Sequence, residues 1–378
     1  MLVANHGWGL RGLTEVCPGE RRQTFVDSPD RFLKVQQRQP ANRDERPKEM
    51  NDSGHAWASR RGTAKIAALL VMALAAALLI AACGSSNSSS STGSSTSPTA
   101  AAGVAVAGVT ITPDASLNAM LPASVKSAGV LRVATDIPYP PFEMYADANN
   151  TQPTGFDYDL GQALAAKLGL HFQFDQIVFD SIIPALSAGK ADMVLAAMVD
   201  NKAREQVLSF VDYAKVGSVL LTVKGNPHGL TTLNGLAGKT VAAQSGTIQA
   251  QMLTALAKQF AAAGKPALKV LTFPKDSDAL LAVQAGKAVA DYVQLPDAAY
   301  TQKTAGNGSV YQTVVDPAAP GGYAPSIIGA GVVKSDTALT GAVQKALQGF
   351  IADGTYGKIL AKYGLAGSAV SSAQVNQG

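Results

Sequence analysis

An uninterrupted apolar segment, Ile66 to Ala82, divides this chain of 378 residues into two parts with different prospects of folding. Its 17 residues carry no charge, follow the basic residues at positions 60–65 and end directly before Cys83. A basic, then apolar, then small-residue order is typical of an export signal. Seventeen residues also lie at the short limit for a membrane span. We therefore predict a signal peptide over residues 50–82, with an uncleaved membrane anchor as the alternative.

The residues around Cys83 refine this prediction. Ile80-Ala81-Ala82-Cys83-Gly84 resembles the lipobox of bacterial lipoprotein signal peptides, which implies that Cys83 becomes the lipidated first residue. With either a lipid or a membrane-spanning anchor, residues 84–378 lie on the outer face of the cytoplasmic membrane. Cys17 is the only other cysteine, so the exported part has no disulfide, no thiol nucleophile and no thiolate metal site. Residues 1–49 are expected to be a mis-annotated or disordered leader.

The exported part begins with a segment that can bury almost nothing. Residues 84–99 read GSSNSSSSTGSSTSPT, a composition typical of a flexible linker. We predict a Ser/Gly-rich tether over residues 83–114. Regular folding is expected from about Ala115 onward.

The net charge of +4 does not indicate a nucleic-acid partner. Residues 1–83 hold 12 of the 31 Lys and Arg residues and 8 of the 27 Asp and Glu residues, which leaves 19 of each sign in the rest of the chain. The folded part is therefore neutral overall. A basic groove for phosphate backbones is not expected on it, because the excess charge lies in the leader.

Beyond the tether, short β-rich segments alternate with helical periods, a pattern typical of α/β proteins with largely parallel sheets. The order of these segments predicts two lobes and two crossings of the chain between them. Lobe 1 is predicted to consist of residues 115–217 and 317–366, and lobe 2 of residues 218–316. A disordered tail is predicted over residues 367–378.

Catalytic and metal-binding patterns are absent from the exported sequence. Its two histidines, His171 and His228, have neither metal-ligand nor triad spacing. The tripeptide at 238–240, Gly-Lys-Thr, imitates a phosphate-binding loop, but Leu233 stands where a glycine is required and a strand follows. We therefore expect no catalytic residue, no metal and no cofactor.

Three segments point to a site for a small anionic ligand. The exported part has 17 lysines but only two arginines, and Arg204 follows a predicted buried strand, where its planar fork suits a carboxylate. Residues 244–247, Gln-Ser-Gly-Thr, join a strand to a helix and form an anion-binding corner. The Pro-rich loop 136–142 projects aromatic rings. A solvated arginine and simple packing remain the alternatives for these segments.

The order of motifs over residues 120–366 resembles the family 3 extracellular solute-binding proteins, which serve ABC importers of polar amino acids. The resemblance rests on five segments, which are Gly129–Val133, Tyr139–Glu143, Gly155–Leu160, Phe179–Leu186 and Asp353–Tyr356. It implies a two-lobed α/β fold of the periplasmic-binding-protein type II class, with the ligand in the cleft between the lobes.

The same resemblance assigns site residues by position. It implies that Tyr139 and Phe179 sandwich the side chain of the ligand, that Asp136 reaches the polar end of that side chain, and that Arg204 clamps the α-carboxylate. The remaining implied ligand-binding residues are backbone N–H groups around Ala196, Ala197, Gly246 and Thr247, together with the side chains of Gln244 and Gln294.

Two positions depart from the family pattern. Val199 stands where the family usually has a hydroxyl residue, five positions before the arginine. Gln294 replaces the aspartate that binds the α-ammonium group in the family. Either Asp297 or Asp136 compensates for the missing charge, or the ligand is not a standard α-amino acid.

The implied function is that of a lipid-anchored, monomeric binding protein that delivers a small carboxylate-bearing solute to an ABC transporter permease. Two alternatives stay open. A dehydratase or lyase on the same fold would use Glu143 as a general acid. A ligand-sensing ectodomain would need a membrane helix and a signalling domain after the second lobe.

Overall fold

The computed structural model describes residues 103–147 and 149–378. The predicted leader, the signal peptide, Cys83 and most of the tether lie outside the described residues. The strands are β1 (Val104–Val106), β2 (Val109–Ile111), β3 (Val130–Thr135), β4 (Met144–Tyr145), β5 (Pro153–Thr154), β6 (His171–Gln176), β7 (Met193–Val194), β8 (Leu208–Val223), β9 (Thr240–Gln244), β10 (Lys269–Phe273), β11 (Ala290–Gln294), β12 (Tyr311–Val314) and β13 (Tyr323–Val333). The helices are α1 (Ala115–Met120), α2 (Ala123–Ala128), α3 (Phe156–Lys167), α4 (Ile182–Ser187), α5 (Ile248–Ala262), α6 (Asp276–Gln284), α7 (Leu295–Thr304), α8 (Thr337–Ala352) and α9 (Thr355–Lys362).

Lobe 1 is built on the strand order β6-β3-β7-β13-β8, in which β3 runs parallel to β6 and β7. Alternate residues of its strands enter two different apolar clusters. Val133 packs with α3, α8 and α9, whereas its neighbour Ala134 packs with α4. This alternation follows from the two-residue period of a strand, which sends successive side chains to opposite faces. Helices therefore cover both faces of the sheet.

Lobe 2 repeats the design with the strand order β10-β9-β11-β8 and with β12 also paired to β8. Strand β9 runs parallel to β10 and β11. Val241 packs with α5 on one face, and Ala242 packs with α6 and α7 on the other. Both lobes thus show the predicted helix-covered, mostly parallel sheets.

The two lobes are joined by strands β8 and β13, which run antiparallel across the connection. Residues 208–216 of β8 pair with β13, and residues 218–221 pair with β11 of lobe 2. Strand β8 is continuous for 16 residues and therefore belongs to the sheets of both lobes. Gly217 lies at the junction, where a Cβ atom would collide with the backbone of Gly321. The predicted α/β class with two crossings is confirmed.

The N-terminal boundary of the fold corrects the predicted tether. Strands β1 and β2, within residues 83–114, form an antiparallel hairpin that packs against lobe 1. Val106 and Ile111 are buried on its inner face. The turn residues Ala107 and Gly108 both have positive φ, at 47° and 75°, as a two-residue hairpin turn requires. The alternating valines thus form an ordered element despite the Ser-rich segment before them.

The C-terminal boundary is a second correction. Residues 367–378 were predicted to be disordered, but they lie against lobe 1. Bridges join Ala369 to Ala214 and Val375 to Val211, and Ala373 is buried in the lobe 1 core. Small and apolar side chains at intervals among polar ones supply enough burial to order the segment.

Within the described residues, no helix combines the length and the apolar character that a membrane crossing requires. The same part of the chain contains no cluster of three or more histidine, cysteine, aspartate or glutamate side chains suited to a metal ion.

Candidate functional site

A polar cleft lies between the two lobes. Lobe 1 contributes the end of β3 with its following loop, the start of the Phe179 turn and the segment after β7. Lobe 2 contributes the ends of β9 and β11 and the start of α5. The residues that line the cleft are Asp136, Tyr139, Glu143, Phe179, Ala196, Ala197, Val199, Arg204, Gln244, Thr247, Ile248, Gln249 and Gln294.

Tyr139 is held in the cleft by its loop. Its backbone N–H donates to the carbonyl of Glu143 at 2.6 Å, and Phe142 N–H donates back to the carbonyl of Tyr139 at 3.1 Å. Phe142 is fully buried and stacks with the Tyr139 ring at a centroid distance of 6.3 Å. This buried anchor fixes the loop and thereby the position of the Tyr139 ring in the cleft.

Arg204 begins a 3₁₀ turn, Arg204–Gln206, and points into the cleft with only 8% of its surface exposed. Its Nη1 donates to the carbonyl of Val199 at 2.6 Å, and its Nη2 donates to the carbonyl of Gly246 in lobe 2 at 3.0 Å. Its guanidinium lies 5.5 Å from the centre of the Phe179 ring. Burial lowers the pKa of Arg204 to about 10, which leaves the group cationic at neutral pH.

Arg204 forms no salt bridge in the described part of the chain, where the ion pairs involve other side chains. The charge of Asp200 only partly offsets the effect of burial on the pKa of Arg204. A buried charge without a counter-ion is costly. The surroundings of Arg204 therefore favour a bound anion.

The start of α5 lies on the same cleft. Thr247 caps this helix, and its Oγ1 accepts a hydrogen bond from the Ala250 N–H at 3.2 Å. The first backbone N–H groups of a helix have no partners within it and favour negative charge. Gly246 precedes the cap with a φ of +74°, and a Cβ atom there would lie 2.8 Å from the Cβ of Asp180. Thr247, Ile248 and Gln249 line the cleft, so the start of α5, where the sequence predicted an anion-binding corner, faces it.

An acidic group stands elsewhere in the cleft. Asp136 follows β3, and its Oδ2 accepts a hydrogen bond from Gln244 Nε2 of lobe 2 at 2.5 Å. Its Oδ1 is buried without a partner. Burial raises the pKa of Asp136 to about 6, against the opposing effect of the Gln244 bond. Asp136 is thus a carboxyl group with one acceptor oxygen to offer.

Gln294 makes a second set of bonds between the lobes. Its Nε2 donates to the carbonyl of Ala197 at 3.0 Å, and its backbone N–H donates to the hydroxyl of Tyr139 at 3.3 Å. Its Oε1 is buried and has no partner. The neutral amide of Gln294 therefore donates a hydrogen bond across the cleft through Nε2, and its Oε1 is an acceptor without a partner.

The backbone N–H of Ala197 was expected to face the ligand, and the structure corrects this. Ala197 has a φ of +43°, and its N–H donates to Asp157 Oδ2 at 2.8 Å. The same oxygen accepts a hydrogen bond from the Tyr213 hydroxyl at 2.9 Å. The backbone N–H of Ala197 therefore binds the buried carboxylate of Asp157 and not a ligand. The carbonyl of Ala197 accepts a hydrogen bond from Gln294.

Glu143 stands behind this arrangement and also lines the cleft. Burial, followed by the nearby carboxylate of Asp157, raises the pKa of Glu143 well above its ordinary value. Burial raises the pKa of Asp157 to about 6, against the bonds from Ala197 and Tyr213. Burial and the neighbouring carboxylate thus both favour the protonated form of Glu143. Its Oε2 is buried without a partner.

Asp297 and Asp136 were the two candidates to replace the missing family aspartate. Asp297 is fully buried and does not line the cleft, and burial raises its pKa well above the ordinary value. Asp276 and Asp291 are buried beside it. Of the two candidates, only Asp136 lines the cleft.

Nine of the ten residues expected in the site line this cleft, and the tenth, Gly246, supplies the carbonyl that Arg204 binds. The four other residues that line the cleft were not among the predicted ligand-binding residues; they are Glu143, Val199, Ile248 and Gln249. Ile248 and Gln249 follow the predicted corner directly, so the turn-to-helix signal pointed to them. Glu143 ends the aromatic loop, and its inward direction depends on burial of Phe142.

Comparisons with known proteins agree with this geometry. The family model of the bacterial extracellular solute-binding proteins, family 3, matches residues 131–366. The chain is 28% identical over 275 residues to the arginine-binding protein ArgT of Corynebacterium glutamicum, covering 71% of this chain and 85% of that protein. It is 29% identical over 245 residues to the histidine-binding periplasmic protein of Escherichia coli K12, covering 62% and 86%.

A solved structure shows the same similarity. An ancestral arginine-binding protein bound to arginine superposes with a TM-score of 0.55 and 33% identity, covering 62% of this chain and 98% of that chain. These relatives are binding proteins by name. The family model covers the two-lobed part of the chain, which contains the cleft.

Proposed function

The chain belongs to the bacterial extracellular solute-binding proteins of family 3, and we propose that it captures an α-amino acid with a cationic side chain. Its fold is that of the type II periplasmic binding proteins. The proposal has three parts, which are an anion site around Arg204, a set of unmatched acceptors for cationic N–H groups, and closure of the lobes around the ligand.

The anion site carries the proposal. Arg204 is buried and cationic, and the start of α5 adds backbone donors beside it. A carboxylate that meets the planar fork makes two charge-assisted hydrogen bonds, each worth about 1.5–3 kcal/mol. The α-carboxylate of an amino acid has the size and the charge that this corner accepts.

The acceptors decide the class of side chain. Asp136 Oδ1 and Gln294 Oε1 are both buried in the cleft without a hydrogen-bond partner. Two unmatched acceptors favour a ligand that brings several N–H donors, because buried polar groups are normally paired. An ammonium, guanidinium or imidazolium group meets this requirement. Relatives named as arginine-binding and histidine-binding support the same class.

Closure explains how capture works. Gln244, Gln294 and Arg204 each form a hydrogen bond between the lobes. A ligand that contacts Arg204 of lobe 1 and the start of α5 in lobe 2 interacts best when the lobes are together. A ligand shifts such an equilibrium by its differential affinity for the closed state.

The cellular setting follows from the sequence and the family. The segment over residues 50–82 and Cys83 support export and lipid anchoring, and the family supports delivery to an ABC transporter permease. We expect the mature protein to be monomeric and free of nucleic acid. Metabolic labelling with a fatty acid, lost in Cys83→Ser, tests the anchor. Label that persists in the variant contradicts it.

A second candidate function is supported by Glu143. A carboxyl group that lines a ligand cleft and whose pKa is raised by burial has the chemistry of a general acid for dehydration or lyase reactions. Turnover of a small hydroxylated organic acid that is lost in Glu143→Gln favours this enzyme. Recovery of every tested acid unchanged, with saturable amino-acid binding, favours the binding protein.

Thermal unfolding of the 84–378 fragment in the presence of single amino acids tests the main proposal. A ligand that binds only the folded state stabilises it by RT ln(1 + [L]/Kd), about 2.7 kcal/mol at one hundred times the Kd. We expect arginine, lysine or histidine to raise Tm more than glutamate or leucine. A larger effect from acidic or apolar amino acids contradicts the assignment of a cationic side chain.

A further inference from the structure

The segment after α9, residues 369–378, occupies an edge of β8 that is otherwise left open in lobe 1. Phe210 N–H donates to Asn376 Oδ1 at 2.8 Å, and Asp212 N–H donates to the carbonyl of Gln374 at 3.0 Å. Asn376 N–H returns a bond to the carbonyl of Phe210 at 3.1 Å. An exposed strand edge carries unpaired backbone groups, and this segment, which we term the strap, pairs them.

The strap ends beside the loop that presents Arg204. Gln377 N–H donates to Asp212 Oδ2 at 3.2 Å, and Gly378 N–H donates to Asp200 Oδ2 at 2.9 Å. Asp200 and Asp212 are both buried, with exposures of 2% and 1%. Each of these two neighbouring carboxyl groups therefore receives one backbone donor from the strap.

The contacts of Asp200 lead directly to the ligand-binding arginine. Asp200 N–H donates to the carbonyl of Ile327 on β13 at 2.9 Å, and the preceding carbonyl, that of Val199, accepts from Arg204 Nη1. The following residue, Asn201, accepts the Arg204 backbone N–H on its Oδ1 at 3.0 Å. Residues 199–204 are thus fixed by β13 on one side and by the strap on another.

Removal of the strap would leave two buried carboxyl groups facing each other with one donor fewer apiece. Neighbouring like charges disfavour joint ionisation, and burial together with Asp200 raises the pKa of Asp212 to about 7. Glu205 is buried beside Asp200 as well. An Asp200 carboxyl group that has lost its donor from the strap regains a hydrogen bond by moving toward water. The Asp200 loop is the movable partner, because Asp212 lies within the sheet.

We propose that residues 369–378 act as a positioning strap for Arg204, so that docking of the strap and binding of the ligand favour one another. The proposal rests on the proposed function for the ligand. The strap forms hydrogen bonds with β8 and with Asp200, so it acts through Asp200 and the backbone of the loop. Coupling of this kind is reciprocal between the two binding events.

The first experiment compares the full exported chain with a variant that lacks residues 369–378, by calorimetry with L-arginine. We expect Kd to rise about tenfold, within the usual range of coupling between sites. A synthetic peptide of residues 367–378 should restore the affinity, and L-arginine should tighten binding of that peptide by the same factor. An unchanged Kd, or peptide binding that ignores L-arginine, overturns the proposal.

Point variants in the full chain cover the case in which the shortened chain does not fold. Asn376→Gly keeps the left-handed backbone, with a φ of +59°, and removes the oxygen that Phe210 N–H binds. Asp200→Ala removes the acceptor for Gly378, and Asp200→Asn restores one. We expect Asn376→Gly and Asp200→Ala to bind L-arginine more weakly than the unaltered chain and Asp200→Asn to recover the affinity. The matched control is Gln374→Ala, which should leave Kd unchanged because the side chain of Gln374 is exposed.

Hydrogen exchange gives a readout that needs no ligand. The amides of Glu205 and Val207 are bonded within the Arg204 turn and should exchange faster in Asn376→Gly than in Gln374→Ala. Equal rates in the two variants overturn the strap. If the full chain binds no amino acid, the proposed function fails, and the exchange rates still decide whether the strap holds the loop.

Discussion

Replacement of Arg204 is the most direct test of the anion site. Arg204→Ala removes the planar fork, and two charge-assisted hydrogen bonds to a carboxylate are worth about 3–6 kcal/mol together. Each 1.4 kcal/mol changes Kd tenfold, so we expect the Kd for a cationic amino acid to rise by about 10² to 10⁴. Arg204→Lys keeps the positive charge but lacks the planar fork. Its Kd should therefore lie between the Kd of the unaltered chain and that of Arg204→Ala.

The same substitution should leave the fold intact. In the structure the Arg204 guanidinium binds only the carbonyls of Val199 and Gly246, and it is desolvated and forms no salt bridge among the described residues. Loss of a costly buried charge offsets the loss of these two bonds. We therefore expect Tm without ligand to change by only a few degrees, while the rise in Tm caused by ligand disappears.

Arg132 provides a matched control, because it is the only other arginine after Cys83. It pairs with Asp192 at 2.6 Å and does not line the cleft. Arg132→Gln should reduce stability modestly and leave Kd unchanged in isothermal titration calorimetry. If Arg204→Ala binds the ligand as tightly as the unaltered chain, the assignment of the carboxylate clamp is wrong.

Three further predictions follow from neighbouring contacts. The affinity for a cationic ligand should fall as the pH drops through about 6, by at most tenfold per pH unit for one proton, because Asp136 loses its charge on protonation. Asp136→Asn should flatten this part of the pH profile in calorimetry, and an unchanged slope would assign the effect to another group. Gln294→Leu removes the amide that donates to the Ala197 carbonyl, and with a bond worth about 1 kcal/mol we expect Kd to rise about fivefold. Tyr213→Phe deletes the hydroxyl that donates to the buried Asp157 and should lower the free energy of unfolding by about 2 kcal/mol in urea denaturation. A change below about 0.5 kcal/mol, the lower end for a single hydrogen bond, would show that water or another group satisfies Asp157.

Local sequence signals predicted much of the fold and of the site. The alternation of β-rich and helical segments predicted the α/β class of both lobes, and the family resemblance predicted that Arg204 lies at the cleft, which it lines. The errors arose at both boundaries of the fold. Short segments such as Val104–Ile111 and residues 369–378 become ordered only through contacts with lobe 1, and those contacts involve residues far away in the sequence.

The sequence by itself determined the α/β class, the two crossings and most of the residue types that line the cleft, because strand and helix periods and turn chemistry are local. Only the tertiary structure decided how the groups are paired. It turned the N–H of Ala197 to Asp157, excluded Asp297 from the cleft and left acceptors unmatched on Asp136 and Gln294. These outcomes depend on burial and on partners brought together from distant parts of the chain, which no local pattern specifies.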